Sequence, residues 1–432
     1  MSTRAARFDA LWLGGGVILV ALVFGVLPTL RLLWQAVDGG VPAWTAVLAQ
    51  DITWRATWNS LVVSAGGTAL AVLLGGALAL LIGLTDLRWR NTLVFLFVLP
   101  LVIAPQVLAV AWIQLMGPNS TVLRGFGLAP PPGTPNPLYG AGGIIVLLGI
   151  QYAPLVFIGL RAALRSLPRD LSEAARAHGA GPFTCIATVI VPLLTPALAA
   201  VALLSFVSCL GNFGVPAFLG IPASYPVLPT LIYQRFAGLG PSVLAEVAVL
   251  ALLVGGLALV GVLWQARLLR RSDYRIAASR SSERLFSLGR WRAPVEIALF
   301  VLLAAIVVAP LVSLLITSLL PALGVRFDWG RLSLAHYQFV LFEHAATRRA
   351  FFNSFALSLG AALFVMLAAV PFAHLLAQVA HDGRRWATRG IRFLLLCVEM
   401  PYAVPGVVLA LAAILLFLKP LPLLGWSLYN TV

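Results

Sequence analysis

Residues 57–84 read TWNSLVVSAGGTALAVLLGGALALLIGL, 28 positions without a charge, set between Arg55 and Asp86. At about 1.5 Å of rise per residue, a helix of this length exceeds the roughly 30 Å hydrocarbon core of a bilayer. Unpaired backbone groups are not tolerated in hydrocarbon, and the chain shows no alternating ten-residue pattern of a barrel, so the run predicts a membrane-spanning helix. The same reading gives nine spans, at 10–34, 57–84, 92–116, 141–164, 186–210, 243–266, 294–319, 352–378 and 391–418. The first follows Arg4 and Arg7 as a signal peptide would. Its apolar run is longer than a usual signal core and no convincing cleavage site follows, so it reads as a retained anchor.

Composition supports this fold class. Of 432 residues, 61% are hydrophobic and 10% charged, with a mean hydropathy of +1.00. A soluble domain carries about 45–50% apolar and about 25% charged residues, so a soluble enzyme is excluded, as is disorder. The expected architecture is an all-α integral membrane protein, a polytopic bundle of about nine transmembrane helices.

The net charge of +15 sits almost wholly on arginines between apolar runs, Lys419 being the sole lysine. With the N-terminus in the cytoplasm, 20 of the 29 basic residues fall on the cytoplasmic side and 9 outside. That bias sets topology in the bacterial inner membrane, so the lipid bilayer is the expected partner and nucleic acid is not. Cys185, Cys209 and Cys397 lie in or beside apolar runs at no metal-ligand spacing, so no metal site is expected.

An internal repeat organises the spans. Trp58-Asn59-Ser60-Leu61 precedes a small-residue-rich helix, then Arg88-Trp89-Arg90, then Leu99-Pro100 with Pro105. Phe352-Asn353-Ser354-Phe355 precedes a similar helix, then Arg384-Arg385-Trp386, then Met400-Pro401 with Pro405. The Asn-Ser pairs are offset by 294 residues and both copies run in the same direction, which makes a tandem parallel repeat. The domains so defined are a first module at 1–266, a basic cytoplasmic linker at 267–293 and an incomplete second module at 294–432. Residues 117–139, with Pro130, Pro131 and Pro132, are expected to form an ordered or extended outside loop of polyproline character.

Between the fourth and fifth spans lies a short polar segment, Leu167-Pro168-Arg169-Asp170-Leu171-Ser172-Glu173-Ala174-Ala175-Arg176-Ala177-His178-Gly179-Ala180-Gly181, followed by Val189-Ile190-Val191-Pro192. Asp170 suits an N-cap and Glu173 a capping box, the alanines favour helix, and Gly179 suits a left-handed C-cap. A short amphipathic cytoplasmic helix near 168–181, ended by a glycine turn, is expected.

At these residues the chain resembles the permease subunits of binding-protein-dependent ABC importers, whose cytoplasmic signature is Glu-Ala-Ala, three residues, Gly, nine residues and Ile-x-Leu-Pro. Glu173, Ala174, Ala175, Gly179 and Pro192 match at that spacing, while Val189 and Val191 replace Ile and Leu. The resemblance implies that this helix, with Asp170, docks on cytoplasmic ABC ATPase subunits, two copies per transporter. A periplasmic solute-binding protein would deliver the solute. No P-loop or Walker lysine is present, so the resemblance implies that ATP is used by the partner, that this chain binds no cofactor, and that it is a transport subunit rather than an enzyme. Two fused modules, and the run Gly211–Gly220 followed by Leu228–Tyr233, look like the ferric-iron type; thiamine, aminophosphonate and polyamine permeases are similar alternatives. A complete fused permease of this type would carry a second Glu-Ala-Ala loop, and its lack is expected of a truncated chain.

Two polar residues are pathway candidates. Glu399 lies within the ninth span, where an ionisable group marks either a pathway or a site close enough to the interface to reach water or Arg392. Asn212, near Gly211 and Gly214, either lines the pathway or bonds a neighbouring helix. The rival classes are an ion-gradient secondary transporter, which leaves the Glu-Ala-Ala loop unexplained, and a membrane-embedded transferase, which would need clustered acids or histidines.

Overall fold

The computed structural model describes residues 15–16, 18–167, 169–238, 243–269, 286–322, 325, 327–382, 394–395 and 406–418. Among them, seven helices are long and apolar enough to cross a membrane, and a bent pair makes an eighth span. In chain order the helices are α1 (Ile18–Asp38), α2 (Gly40–Leu48), α3 (Asp51–Leu84), α4 (Arg90–Val102), α5 (Pro105–Met116), α6 (Ala141–Arg165), α7 (Arg169–Ala177), α8 (Pro182–Leu210), α9 (Gly214–Leu219), α10 (Leu228–Phe236), α11 (Val243–Leu269), α12 (Gly289–Leu319), α13 (Ala345–Asp382) and α14 (Gly406–Leu418). The protein is a polytopic, all-α membrane bundle. Eight of the nine expected spans have a counterpart here; of the ninth, only α14 and residues 394–395 are described. Residues 1–14, which include the start of the expected anchor span, the linker core 270–285, and Pro401, Pro405 and Glu399 lie outside the described residues.

One expectation needs correction. The third span is not a single helix: α4 and α5 meet at a 105° bend. Pro105 stands at the first position of α5 and has no N–H, and Ile103 and Ala104 adopt extended ψ angles of 132° and 134°. The last carbonyls of α4 are thereby left without helical donors, which in a membrane must be supplied from inside the protein. Gln151 supplies them. Its buried amide nitrogen donates to the Pro100 carbonyl at 2.6 Å and to the Ile103 carbonyl at 3.3 Å.

Three spans carry a wide π-turn, at Ala21–Val26, Ile186–Ile190 and Ala304–Val308. Each ends two residues before a proline, Pro28, Pro192 and Pro310 respectively. Proline removes its own N–H and its ring clashes with the carbonyl four residues back, so the preceding turn widens to an i→i−5 bond. That bond is present in all three, from Leu27 to Leu22, Val191 to Ile186 and Ala309 to Ala304. Pro28 and Pro310 stand in the first spans of the two halves, so the repeat extends to a feature that the Asn-Ser and Pro pairs do not reveal.

The chain divides into two compact units. The larger comprises Val47–Gly238 and Leu253–Arg331, so it holds α3 to α10 together with α12, the first span of the second half. Its centre is the α3–α6 pair, joined by α8. Small residues permit the approach: a Cβ on Gly75 would lie 2.3 Å from the Ala153 carbonyl oxygen, and one on Gly67 would lie 3.0 Å from the Leu148 Cβ. In a bilayer, where apolar surface gains little by leaving lipid, such backbone proximity is a main source of helix association. Two apolar clusters lie along this pair. One gathers Val63, Leu108, Ile144, Leu148 and Val215; the other gathers Ile82, Leu93, Phe97, Phe157, Leu164 and Leu303, with Phe97 edge-on to Phe157 at 5.3 Å.

The loops of this unit sort accordingly. At one end Asn59 donates to the Pro226 carbonyl at 2.8 Å, the Ser60 hydroxyl accepts from Leu228 N–H at 2.8 Å, and Gly140 N–H donates to Leu219 at 3.0 Å. At the other, Leu167, Ala175 and Phe286 pack against the apolar cluster that contains Leu87. Segments expected on one side of the membrane are thus brought together. The smaller unit comprises Met1–Ala46, Leu239–Leu252 and Leu332–Val432. Within it α1 packs on α14, and Phe24 meets Phe364 at 5.1 Å. The first span of each half therefore belongs to the unit that holds most of the other half.

Candidate functional site

α7 is the short polar helix expected from the Glu-Ala-Ala segment. It begins at Arg169, two residues earlier than an Asp170 cap would give, so Asp170 lies in its first turn instead of capping it. A carboxylate there still meets the positive end of the helix dipole. The other end closes as a Schellman turn: Ala180 N–H donates to the Ala175 carbonyl at 3.0 Å and Gly179 N–H to the Arg176 carbonyl at 2.9 Å. Gly179 holds φ +85° there, a left-handed conformation that costs a side-chain-bearing residue about 1–2 kcal/mol.

The helix has two faces. Ser172 is buried and Ala175 half-buried against Leu167 and the apolar cluster below, while Asp170, Leu171, Glu173, Ala174, Arg176, His178 and Gly179 are exposed. No atom lies within 4 Å of where a Gly179 Cβ would point. Phe183, which starts the return into α8, is 83% exposed, and Leu171 is 43% exposed. These two side chains add an apolar component to a face otherwise made of small and charged residues. The spacing rule did not single them out, although a phenylalanine directly after Gly181-Pro182 was a signal available in the sequence. Pro192 is exposed at the second residue after the π-turn in α8.

Asn212 lies far from this face. It is buried, donates to the Tyr152 hydroxyl at 3.0 Å, and accepts from Val215 N–H at 3.0 Å, so it ties the start of α9 to α6. Glu399 lies outside the described residues. Cys185 and Cys209 are buried, as expected of small apolar side chains. Among the described residues, no three His, Cys, Asp or Glu side chains converge as a metal would require. The structure therefore concentrates exposed, sequence-marked residues at one place, the outer face of α7 and its return.

Comparison with known proteins agrees on the type of protein. Residues 67–274 match the family described as binding-protein-dependent transport system inner membrane component. A probable ABC transporter permease protein of Sinorhizobium fredii is 28% identical over 437 residues, covering 98% of this chain and 74% of the relative. A probable molybdenum ABC transporter permease protein of Haloferax volcanii is 30% identical over 227 residues, 50% of this chain and 80% of the relative. A putative ferric transport system permease protein of Haemophilus influenzae is 31% identical over 232 residues, 51% of this chain and 35% of the relative. The fold is similar to that in the crystal structure of a bacterial ABC transporter involved in the import of the acidic polysaccharide alginate, with a TM-score of 0.52 over 62% of this chain and 96% of that one, at 21% identity. With a multi-pass helical bundle, a short exposed helix carrying Glu173-Ala174-Ala175 and Gly179, and these relatives, the chain belongs to the inner-membrane components of binding-protein-dependent transport systems, the permease subunits of ABC transporters.

Proposed function

We propose that this chain is the permease of an ATP-driven importer in the bacterial inner membrane, with its N-terminus in the cytoplasm, and that α7 is its coupling helix. The observation that carries the reading is the exposed face of α7: Glu173 and Ala174 point outward, Leu171 and Phe183 offer apolar anchors, and Gly179 turns the chain away with open space around it. A cytoplasmic ABC ATPase, two copies per transporter, seats on that face and uses the ATP; the permease itself carries out no hydrolysis. A periplasmic solute-binding protein supplies the solute. In this reading residues 1–266 and 294–432 are two modules joined by the linker at 267–293, and Asn212 and Glu399 belong to the pathway.

The substrate we favour is ferric iron. The run Gly211–Gly220 with Leu228–Tyr233 and the Haemophilus relative support it. The Haloferax relative, similar at 30% identity, makes molybdate the second reading. Uptake of labelled ferric iron and of molybdate into proteoliposomes holding the assembled transporter separates them. Coupling is tested in the same vesicles: Glu173→Lys should leave membrane insertion intact while ATP hydrolysis loses its stimulation by the loaded binding protein. Full stimulation in that variant would refute the assignment of α7.

A further inference from the structure

Two stretches of chain, some 200 residues apart in sequence, meet beside α7. Phe286 N–H donates to the Leu84 carbonyl at 3.1 Å, and Phe286 forms an isolated parallel bridge with Thr85. Two residues on, Leu288 N–H donates to Asp86 Oδ1 at 2.9 Å. Arg292 then spans two carboxylates, Asp86 Oδ2 at 3.7 Å and Glu296 Oε1 at 3.6 Å, and the same Glu296 oxygen accepts from Arg88 N–H at 2.5 Å. Glu296 is only 8% exposed. The turn after α3 is thereby fastened, through backbone and side chains together, to the start of α12.

The fastened segment also touches α7. The Arg176 guanidinium lies 6.0 Å from the centre of the Phe286 ring, and Phe286, Leu288 and Phe300 pack on the same apolar cluster as Ala175 and Leu167. Ala175 belongs to the Glu-Ala-Ala triplet itself. α7 thus meets, through Arg176, a residue at the end of the linker, just before α12.

A buried carboxylate at the mouth of a membrane span is costly unless it is paired and hydrogen-bonded, and Glu296 is both, with Arg292 and with Arg88 N–H. A span inserts and packs without such a group. What Glu296, Arg292 and Asp86 add is a fixed connection between the turn after α3 and α12, and Phe286 is the piece of that connection against which α7 bears.

We propose that Phe286, Arg292 and Glu296 are positioning residues that transmit displacement of α7 to α12, so that the first span of the second half moves with the first half's ATPase contact. This rests on the reading of α7 as the coupling helix. The reporter is Ser313→Cys, a fully buried position on α12. It is placed in a chain whose Cys185, Cys209 and Cys397 are alanine, in proteoliposomes with the ATPase bound. Maleimide labelling is compared between ADP and ATP with vanadate.

The expected result is at least a threefold difference in labelling between the two nucleotide states. In Phe286→Ala and Arg292→Ala the difference falls below about 1.5-fold while labelling in ADP stays unchanged, and Arg292→Lys restores most of it. Phe286→Leu, which keeps bulk without the ring, covers the case in which Phe286→Ala does not fold. A difference that persists in the Phe286 and Arg292 variants, or one that is missing before any clasp residue is changed, overturns the proposal. Glu173→Lys separates the two levels. If it abolishes the nucleotide response and the Phe286 and Arg292 variants do not, only the clasp fails; if it leaves the response intact, the assignment of α7 fails.

Discussion

α3 and α13 are the two copies of one helix, and their surroundings differ. Asn59 is the ninth residue of α3 and Asn353 the ninth residue of α13. Asn59 and Ser60 are buried and bonded to the chain at Pro226 and Leu228, whereas Asn353 and Ser354 are exposed. Gly66 and Gly360 also correspond: a Cβ on the first would meet Ile145 Cδ1 at 2.9 Å, while one on the second would meet nothing within 4 Å. Along its most apolar stretch α3 is partly buried, whereas the corresponding stretch of α13 is not buried. The comparison teaches that the Asn-Ser pair and the glycines are sockets. They specify where a partner segment can approach, and in α3 Pro226, Leu228 and Ile145 take up those places.

The largest test of this is Gly75→Leu against Ala369→Leu, the same position in the two copies. The first drives a side chain into the Ala153 carbonyl and should cost more than about 3 kcal/mol, seen as loss of monodisperse protein on mild heating in detergent. The second, on an exposed surface, should change nothing measurable. Next comes Gln151→Leu, which strands the carbonyls at the α4–α5 bend; a loss of about 2 kcal/mol is expected, read as a lower melting temperature. Asn59→Leu should cost about 1 kcal/mol and Asn353→Leu none, and equal losses in the two would break the socket description. Smallest in global effect is Gly179→Ala. The φ of +85° makes it about 1 kcal/mol unfavourable, but the strain stays in the α7 turn and should appear as faster local hydrogen exchange without a change in melting.

Much of this was legible in the sequence because bilayers read sequences by simple rules. Long apolar runs with at most one charge located eight of the spans, and Gly179 announced its left-handed turn because few other residues tolerate one. Asp170 was misplaced by two positions because a carboxylate is favourable both as a cap and in the first turn. The 105° bend was harder: Pro100 and Pro105 announced a disturbance, but Gln151, which makes it affordable in lipid, lies some fifty residues away and looks like any buried amide. The π-turns escaped for a related reason. Proline predicts a lost bond but not whether the helix kinks, breaks or widens. The contacts of Asp86 with Leu288 and Arg292 bridge more than 200 residues, and no local pattern marks them.

The widened turns before Pro28, Pro192 and Pro310 have a geometric consequence. Each takes in one residue more than an α-turn, so the helix beyond it is rotated by roughly 100° relative to an uninterrupted helix. A span with such a turn holds one residue of slack in its winding. Passing that slack along the helix would swing side chains from one face to the next and would leave the backbone bonded throughout. In α8 the slack lies directly above the return from α7, so a small push at the membrane surface could be taken up as rotation of the span and not as bending.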